Sequence, residues 1–216
     1  FAFPLEPLIM KKLGWGFLGR SATHSCQRSR GKFSLPTYKM PKKSLEWYIK
    51  KEEAQPLSVA RLKTYMRRPG LKFIDYEKIH KGTTLKELLG PAGGVCILWS
   101  SPQGKIGHFT GLFRRKKKLL WFDPTGLAIH RLASITHNPF ILQKKLEQMG
   151  HVNYNRFKYQ QIRDNVQSCG RHVLCRWNML GLSDDQYRGV MTHRHLNPDQ
   201  IATLCTLPDD LSHWGN

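Results

Sequence analysis

The chain has 216 residues, 40% of them apolar, enough to bury one core with about fifty residues to spare at the N-terminus. Thirty-five Lys and Arg against fifteen Asp and Glu leave a net charge of +20. Such a surface repels itself and points to an anionic partner, nucleic acid or an acidic membrane; the plainer alternative is a basic protein bound to nothing in particular.

The five cysteines (Cys26, Cys96, Cys169, Cys175, Cys205) are scattered and odd in number, which argues against a disulfide framework. No Cys-x-x-Cys pair offers a structural zinc site, and the pattern fits a reducing, intracellular setting. No apolar run approaches the roughly 18–20 residues of a membrane span. Lys11 and Lys12 split the apolar patches of Phe1 to Phe17, so no signal peptide is read there. A first residue that is Phe and not Met suggests a fragment or a processed form.

Residues 1–43 carry the clusters Lys11-Lys12, Arg28-Ser29-Arg30-Gly31-Lys32 and Lys42-Lys43. They read as a flexible basic arm ordered by a partner, or as a solvated tail. The globular part, residues 44–216, begins near Ser44. Ser58 caps a short helix carrying Val59, Leu62 and Met66, ended by Pro69-Gly70. Thr84-Leu85-Lys86-Glu87 has the spacing of a capping box, and Gly90-Pro91 stops that helix.

Three β-prone apolar runs follow: Val95–Trp99, His108–Phe113 and Leu119–Phe122. Ser101-Pro102-Gln103-Gly104 separates the first two and a basic run the last two, which predicts an antiparallel meander. Asn138-Pro139 opens a helix that Gly150 closes. Arg156–Ile162 reads as a further strand, Cys169 to Leu180 as a helix with Val173, Trp177 and Leu180 on one side, and Asn197-Pro198 as the start of a last helix. Strands followed by helices predict an α+β domain, a mixed and mainly antiparallel sheet flanked by helices.

Cys169 opens its helix in Val166-Gln167-Ser168-Cys169-Gly170-Arg171-His172. Free amides and the helix dipole at that end favour the thiolate. Gly170 is expected to leave room for a substrate backbone. His108 heads one predicted strand and Asp123 ends the next, in Phe122-Asp123-Pro124-Thr125-Gly126. A hairpin would join these ends, letting the carboxylate hold one imidazole nitrogen while the other faces a nucleophile. Each residue alone also has an ordinary reading: a buried cysteine, or a polar residue at a strand end.

In this order, His108, Asp123, a glutamine-bearing segment and Cys169-Gly170, the chain resembles the adenovirus-type and SUMO-protease clan of cysteine peptidases. The likeness runs from Thr84 to Leu180 and is nearest the maturation proteases of adenoviruses, virophages and Polinton-type elements. It implies that clan's fold, with Cys169 as nucleophile, His108 as base and Asp123 as third member. It also implies a glutamine side chain in the oxyanion hole with the Cys169 amide. Gln160 and Gln161 both stand near that place, and Gln161 is chosen; Gln167 is too close to the cysteine. Phe109 departs from the Trp that many members have there. Ser168 stands where SUMO proteases have Asp, which favours the viral branch.

The implied activity is cleavage of capsid or core precursors after small residues such as glycine, during virion maturation. The implied setting is the virion and the infected-cell nucleus or a cytoplasmic virus factory, and the chain is taken as a monomer. The chemistry needs no metal or cofactor, although the resemblance implies DNA and an activating peptide as allosteric cofactors. Arg114, Arg115, Lys116, Lys117 and Lys118 are expected at a hairpin tip, as a phosphate-binding patch with Lys42-Lys43 and Arg67-Arg68, as a solvated turn, or as a nuclear-import signal. His193 and His195 lack a carboxylate or cysteine partner and read as surface loop. His172, Cys175 and Cys205 read as structural. Two other functions remain open: a protease removing ubiquitin-like tails, and a catalytically silent basic DNA-binding protein on a protease fold.

Overall fold

A computed structural model describes residues 45–100, 107–132, 140–161, 166–192 and 196–207. The basic arm, Cys26, the Ser101–Gly104 turn, Asn138-Pro139 and His193–His195 lie outside the described residues. The first described element is helix α1 (Leu45–Glu53), followed by α2 (Val59–Thr64), where Ser58 accepts from the Arg61 amide as its cap. Strand β1 (Lys72–Asp75) runs into a single 3₁₀ turn, Tyr76–Lys78. Helix α3 (Leu85–Leu89) opens on the expected capping box: Thr84 Oγ1 accepts from the Glu87 amide while Glu87 accepts from the Thr84 amide.

Strands β2 (Gly94–Ser100), β3 (Gly107–Arg115) and β4 (Lys118–Phe122) form the expected antiparallel meander. After the short helix α4 (Ile129–Leu132) and helix α5 (Ile141–Gln148), strand β5 (Val152–Tyr154) joins β4 in parallel, while β1 joins β2 in parallel at the other edge. The sheet order is therefore β1-β2-β3-β4-β5, mixed, with antiparallel pairs at its centre. Helices α6 (Cys169–Asn178), α7 (Asp184–Met191) and α8 (Pro198–Thr206) complete the chain as described. This is an α+β fold.

The sheet is buried on both faces, which explains why its central strands read as nearly unbroken apolar runs. On one face Cys96, Phe113, Leu120 and Phe122 pack against Val173, Leu174 and Trp177 of α6 and Ile201 and Ala202 of α8. On the other, Val95, Ile97, Trp99, Leu112 and Trp121 meet Leu88 and Leu89 of α3 and Leu142 and Leu146 of α5. Alternate residues of one strand thus enter different cores.

Two sequence expectations need correction here. The strand expected over Arg156–Ile162 is absent from its described part: residues 155–161 form no ladder. The amides of Tyr159 and Gln160 both donate to the Pro124 carbonyl instead, at 2.8 Å each. The alternating aromatics there serve packing, with the Phe157 and Tyr159 rings 4.8 Å apart and Tyr159 5.7 Å from Phe122. The second correction concerns Gly170. A Cβ there would lie 2.9 Å from Leu62 and 3.2 Å from Phe109, so the missing side chain admits the protein's own core, not a substrate.

A candidate active site at one end of the sheet

Antiparallel pairing puts the start of β3 and the end of β4 at the same end of the sheet. His108 and Asp123 therefore meet there, with His108 Nε2 3.2 Å from Asp123 Oδ1. The acid is wholly buried and the imidazole 15% exposed, so one partner is fixed while the other keeps an outlet to solvent.

Asp123 is held by an Asx-type turn. Its Oδ1 accepts from the Thr125 amide at 2.7 Å and the Thr125 hydroxyl at 2.6 Å, and its carbonyl accepts from the Gly126 amide. Gly126 sits at φ +74°, a conformation that a side chain would strain. Asn155, just beyond β5, clamps the same residue from outside. Its Oδ1 accepts from the Asp123 amide at 2.7 Å, and its Nδ2 donates to the Asp123 carbonyl at 2.6 Å. That side chain imitates a strand partner where the ladder has ended.

Helix α6 brings Cys169 to this end, within hydrogen-bonding reach of the His108 ring. Burial opposes charge on the imidazole, but the hydrogen bonds to Asp123 and Cys169 and the charges of both outweigh it and raise His108 to about 10. Burial likewise favours the neutral thiol; the His108 hydrogen bond and charge, with the Phe109 and Gly170 amides, pull Cys169 below its ordinary value. The two shifts favour a thiolate–imidazolium pair. Cys96 and Cys175 lack such a partner, and burial pushes both thiols far upward.

Ser168, the residue before the helix, makes no side-chain cap. Its hydroxyl donates to Asp199 Oδ1 of α8 instead, leaving the first-turn amides of α6 free of that competitor. Asp199 also receives His172 Nε2 on Oδ1 at 2.9 Å and the Gln161 amide on Oδ2 at 3.0 Å. His172, read as structural, is fully buried in this contact.

Of the two candidate glutamines, Gln161 is tied through its backbone to Asp199, and Gln160 through its backbone to the loop that carries Asp123. Gln160 is 9% exposed, and its side-chain carbonyl oxygen is buried without a hydrogen-bond partner among the described residues.

The five basic residues lie elsewhere. Arg115 pairs with Lys118 across the β3–β4 turn, so Lys116-Lys117 form a two-residue tip with Lys116 at φ +54°. The turn closes the end of β3 opposite His108, about 23 Å away at about 3.3 Å per residue. Arg114, Lys116, Lys117 and Lys118 are exposed, while Arg115 leans toward Asp184 at 3.8 Å. Arg68, grouped with them from sequence, is committed to packing: its guanidinium lies 4.5 Å over the Trp177 ring. Lys42-Lys43 fall outside the described residues.

Sequence reasoning missed Asn155, Thr125 and Asp199. Asp-Pro-Thr carried a readable Asx-turn signal for Thr125. Asn155 and Asp199 sit 32 and 31 positions from the residues they hold, and nothing local marks them.

No protein-family model matches the chain. The chain is similar to "Uncharacterized protein V9" of the Sputnik virophage, 24% identical over 147 residues that take in 61% of this chain and 83% of that protein. That similarity suggests a viral source.

Proposed function

We propose that the chain is a cysteine endopeptidase of the adenovirus-type maturation group, cleaving viral capsid or core precursors after small residues such as glycine. The observation that carries this reading is the His108 imidazole set between the buried Asp123 carboxylate and the Cys169 sulfur at a helix N-terminus. The similarity to a virophage protein agrees with a viral setting.

In this mechanism the Cys169 thiolate attacks the peptide carbonyl and His108 protonates the leaving amine. Water, deprotonated by the same ring, then releases the acyl group. The Cys169 amide and a glutamine side chain, Gln161 or its neighbour Gln160, would hold the oxyanion. Asp123 keeps the imidazole in the orientation and tautomer that both proton transfers need.

The test is incubation of the full chain with candidate capsid and core precursors, with and without DNA, followed by mass spectrometry of the new ends. Cleavage behind glycine by the wild type and none by Cys169→Ala is expected. Equal cleavage by Cys169→Ala would overturn the reading. Ready reaction with ubiquitin-like vinyl sulfone probes but not with capsid peptides would move the substrate to ubiquitin-like tails.

DNA binding is a second proposal, favoured by one observation: a lysine, not a glycine, occupies the left-handed position of the exposed β3–β4 tip. Replacing Lys116, Lys117 and Lys118 by Ser should weaken DNA binding and flatten its salt dependence. Unchanged binding would assign the tip to solvation alone.

A further inference from the structure

Asp199 binds the chain on both sides of the stretch leading from the glutamine pair to the nucleophile. One oxygen takes the Gln161 amide; the other takes the Ser168 hydroxyl, immediately before Cys169. The carboxylate is buried and rises from the first turn of α8, which Asn197 and Gln200 lock with a capping box. His172, one turn into α6, donates to the same carboxylate at 2.9 Å, so the acid is also tied to the helix that carries Cys169. Ser168 and His172 both spend their hydrogen bonds on the acid and not on each other, so the cluster holds no activated nucleophile of its own.

Resting on the endopeptidase reading, we propose that Asp199 is a positioning residue that fixes the Cys169 sulfur and amide relative to the Gln160–Gln161 segment. Acyl transfer needs that spacing, because attack and oxyanion stabilisation must occur at one carbonyl. Alkylation of the thiolate by a small neutral reagent does not need it, since that reaction draws on the ionised sulfur alone, held by His108 and the Phe109 and Gly170 amides.

The two reactions therefore separate a positioning role from a merely structural one. In the full-length chain, iodoacetamide alkylation of Cys169 is compared with its acylation by an aryl ester. The ester's C–O bond breaks, a thioester forms, and the aryl alcohol leaves with a proton from His108. Asp199→Asn should leave alkylation within about twofold and lower acylation by about 10²-fold, the usual cost of misplacing reacting groups by an ångström. Ser168→Ala, which removes one bond and spares the fold, should lower acylation by about tenfold, again with alkylation unchanged.

Equal losses in both reactions, or no loss in either, would overturn the proposal. If Asp199→Asn fails to fold, Ser168→Ala decides alone. A wild type that acylates with the ester yet cleaves no peptide would overturn the endopeptidase reading while leaving the Asp199 comparison intact. A wild type silent toward both reagents would overturn both.

Discussion

Two histidine–carboxylate pairs flank the start of α6, His108–Asp123 and His172–Asp199, and their surroundings differ. Their contact distances are similar, 3.2 and 2.9 Å. Access and third partner separate them. The His108 side chain is 15% exposed and faces a thiol, whereas that of His172 is 0% exposed and its Nδ1 has no hydrogen-bond partner among the described residues. A neighbouring hydroxyl also exists at the second pair, but Ser168 gives its proton to the acid and not to the ring. On the endopeptidase reading, the pair of residue types alone does not make a catalytic unit. The group facing the free side of the imidazole, and whether a reagent can reach it, decide.

The strongest way to break the comparison is Asp123→Asn. It should keep the fold yet lower kcat by about 10⁴-fold by favouring the wrong imidazole tautomer, as read by peptide hydrolysis and circular dichroism. A small effect would put the two pairs on the same footing. Next, Gln160→Ala and Gln161→Ala should differ: whichever supplies the oxyanion donor loses about 10²–10³ in kcat, the other little.

A pH profile sharpens the contrast further. On the proposed mechanism hydrolysis needs ionised Cys169 with protonated His108, so it should fall about tenfold per unit as pH rises beyond about 10. On the acid side it should persist below the ordinary thiol range, because Cys169 is lowered. The stability sign agrees: the charged ring's contribution is full below its ordinary 6.5 and is lost as pH rises through about 10. The smallest effect is expected from His172→Ala. Removing that buried partner of Asp199 should cost about 1–3 kcal/mol in denaturant unfolding and leave Cys169 alkylation unchanged.

Local signals made much of the fold legible. Thr84 and Glu87, and Asn197-Pro198, announced helix starts because a cap is satisfied within three or four residues. Ser183 and Gln186 form the same device at α7, which was equally readable and went unread. The apolar runs of β2, β3 and β4 announced the meander, since strands covered on both faces have little polar interruption. Lys72–Asp75 was not readable as β1: a four-residue strand has no periodicity to show, and its partner is chosen by a parallel crossover.

At the site the same division holds. His108, Asp123 and Cys169 could be brought together by assuming one hairpin and one helix. The acid under Ser168, the Asn155 clamp and the filling of Gly170 by Leu62 depend on distant segments arriving at one point. No spacing rule encodes such arrivals. The choice between Gln160 and Gln161 belongs to the same class, because a turn anchored on Pro124 replaced the expected strand.

The cationic β3–β4 tip and the His108–Asp123 pair stand at opposite ends of the same hairpin. A polymer gripped by the lysines would moor the molecule by its stern and leave the bow turned outward. Any substrate bound to the same polymer would then be met at a fixed stand-off of about one strand length. Such a layout would suit an enzyme working along a scaffold better than one working on the scaffold itself.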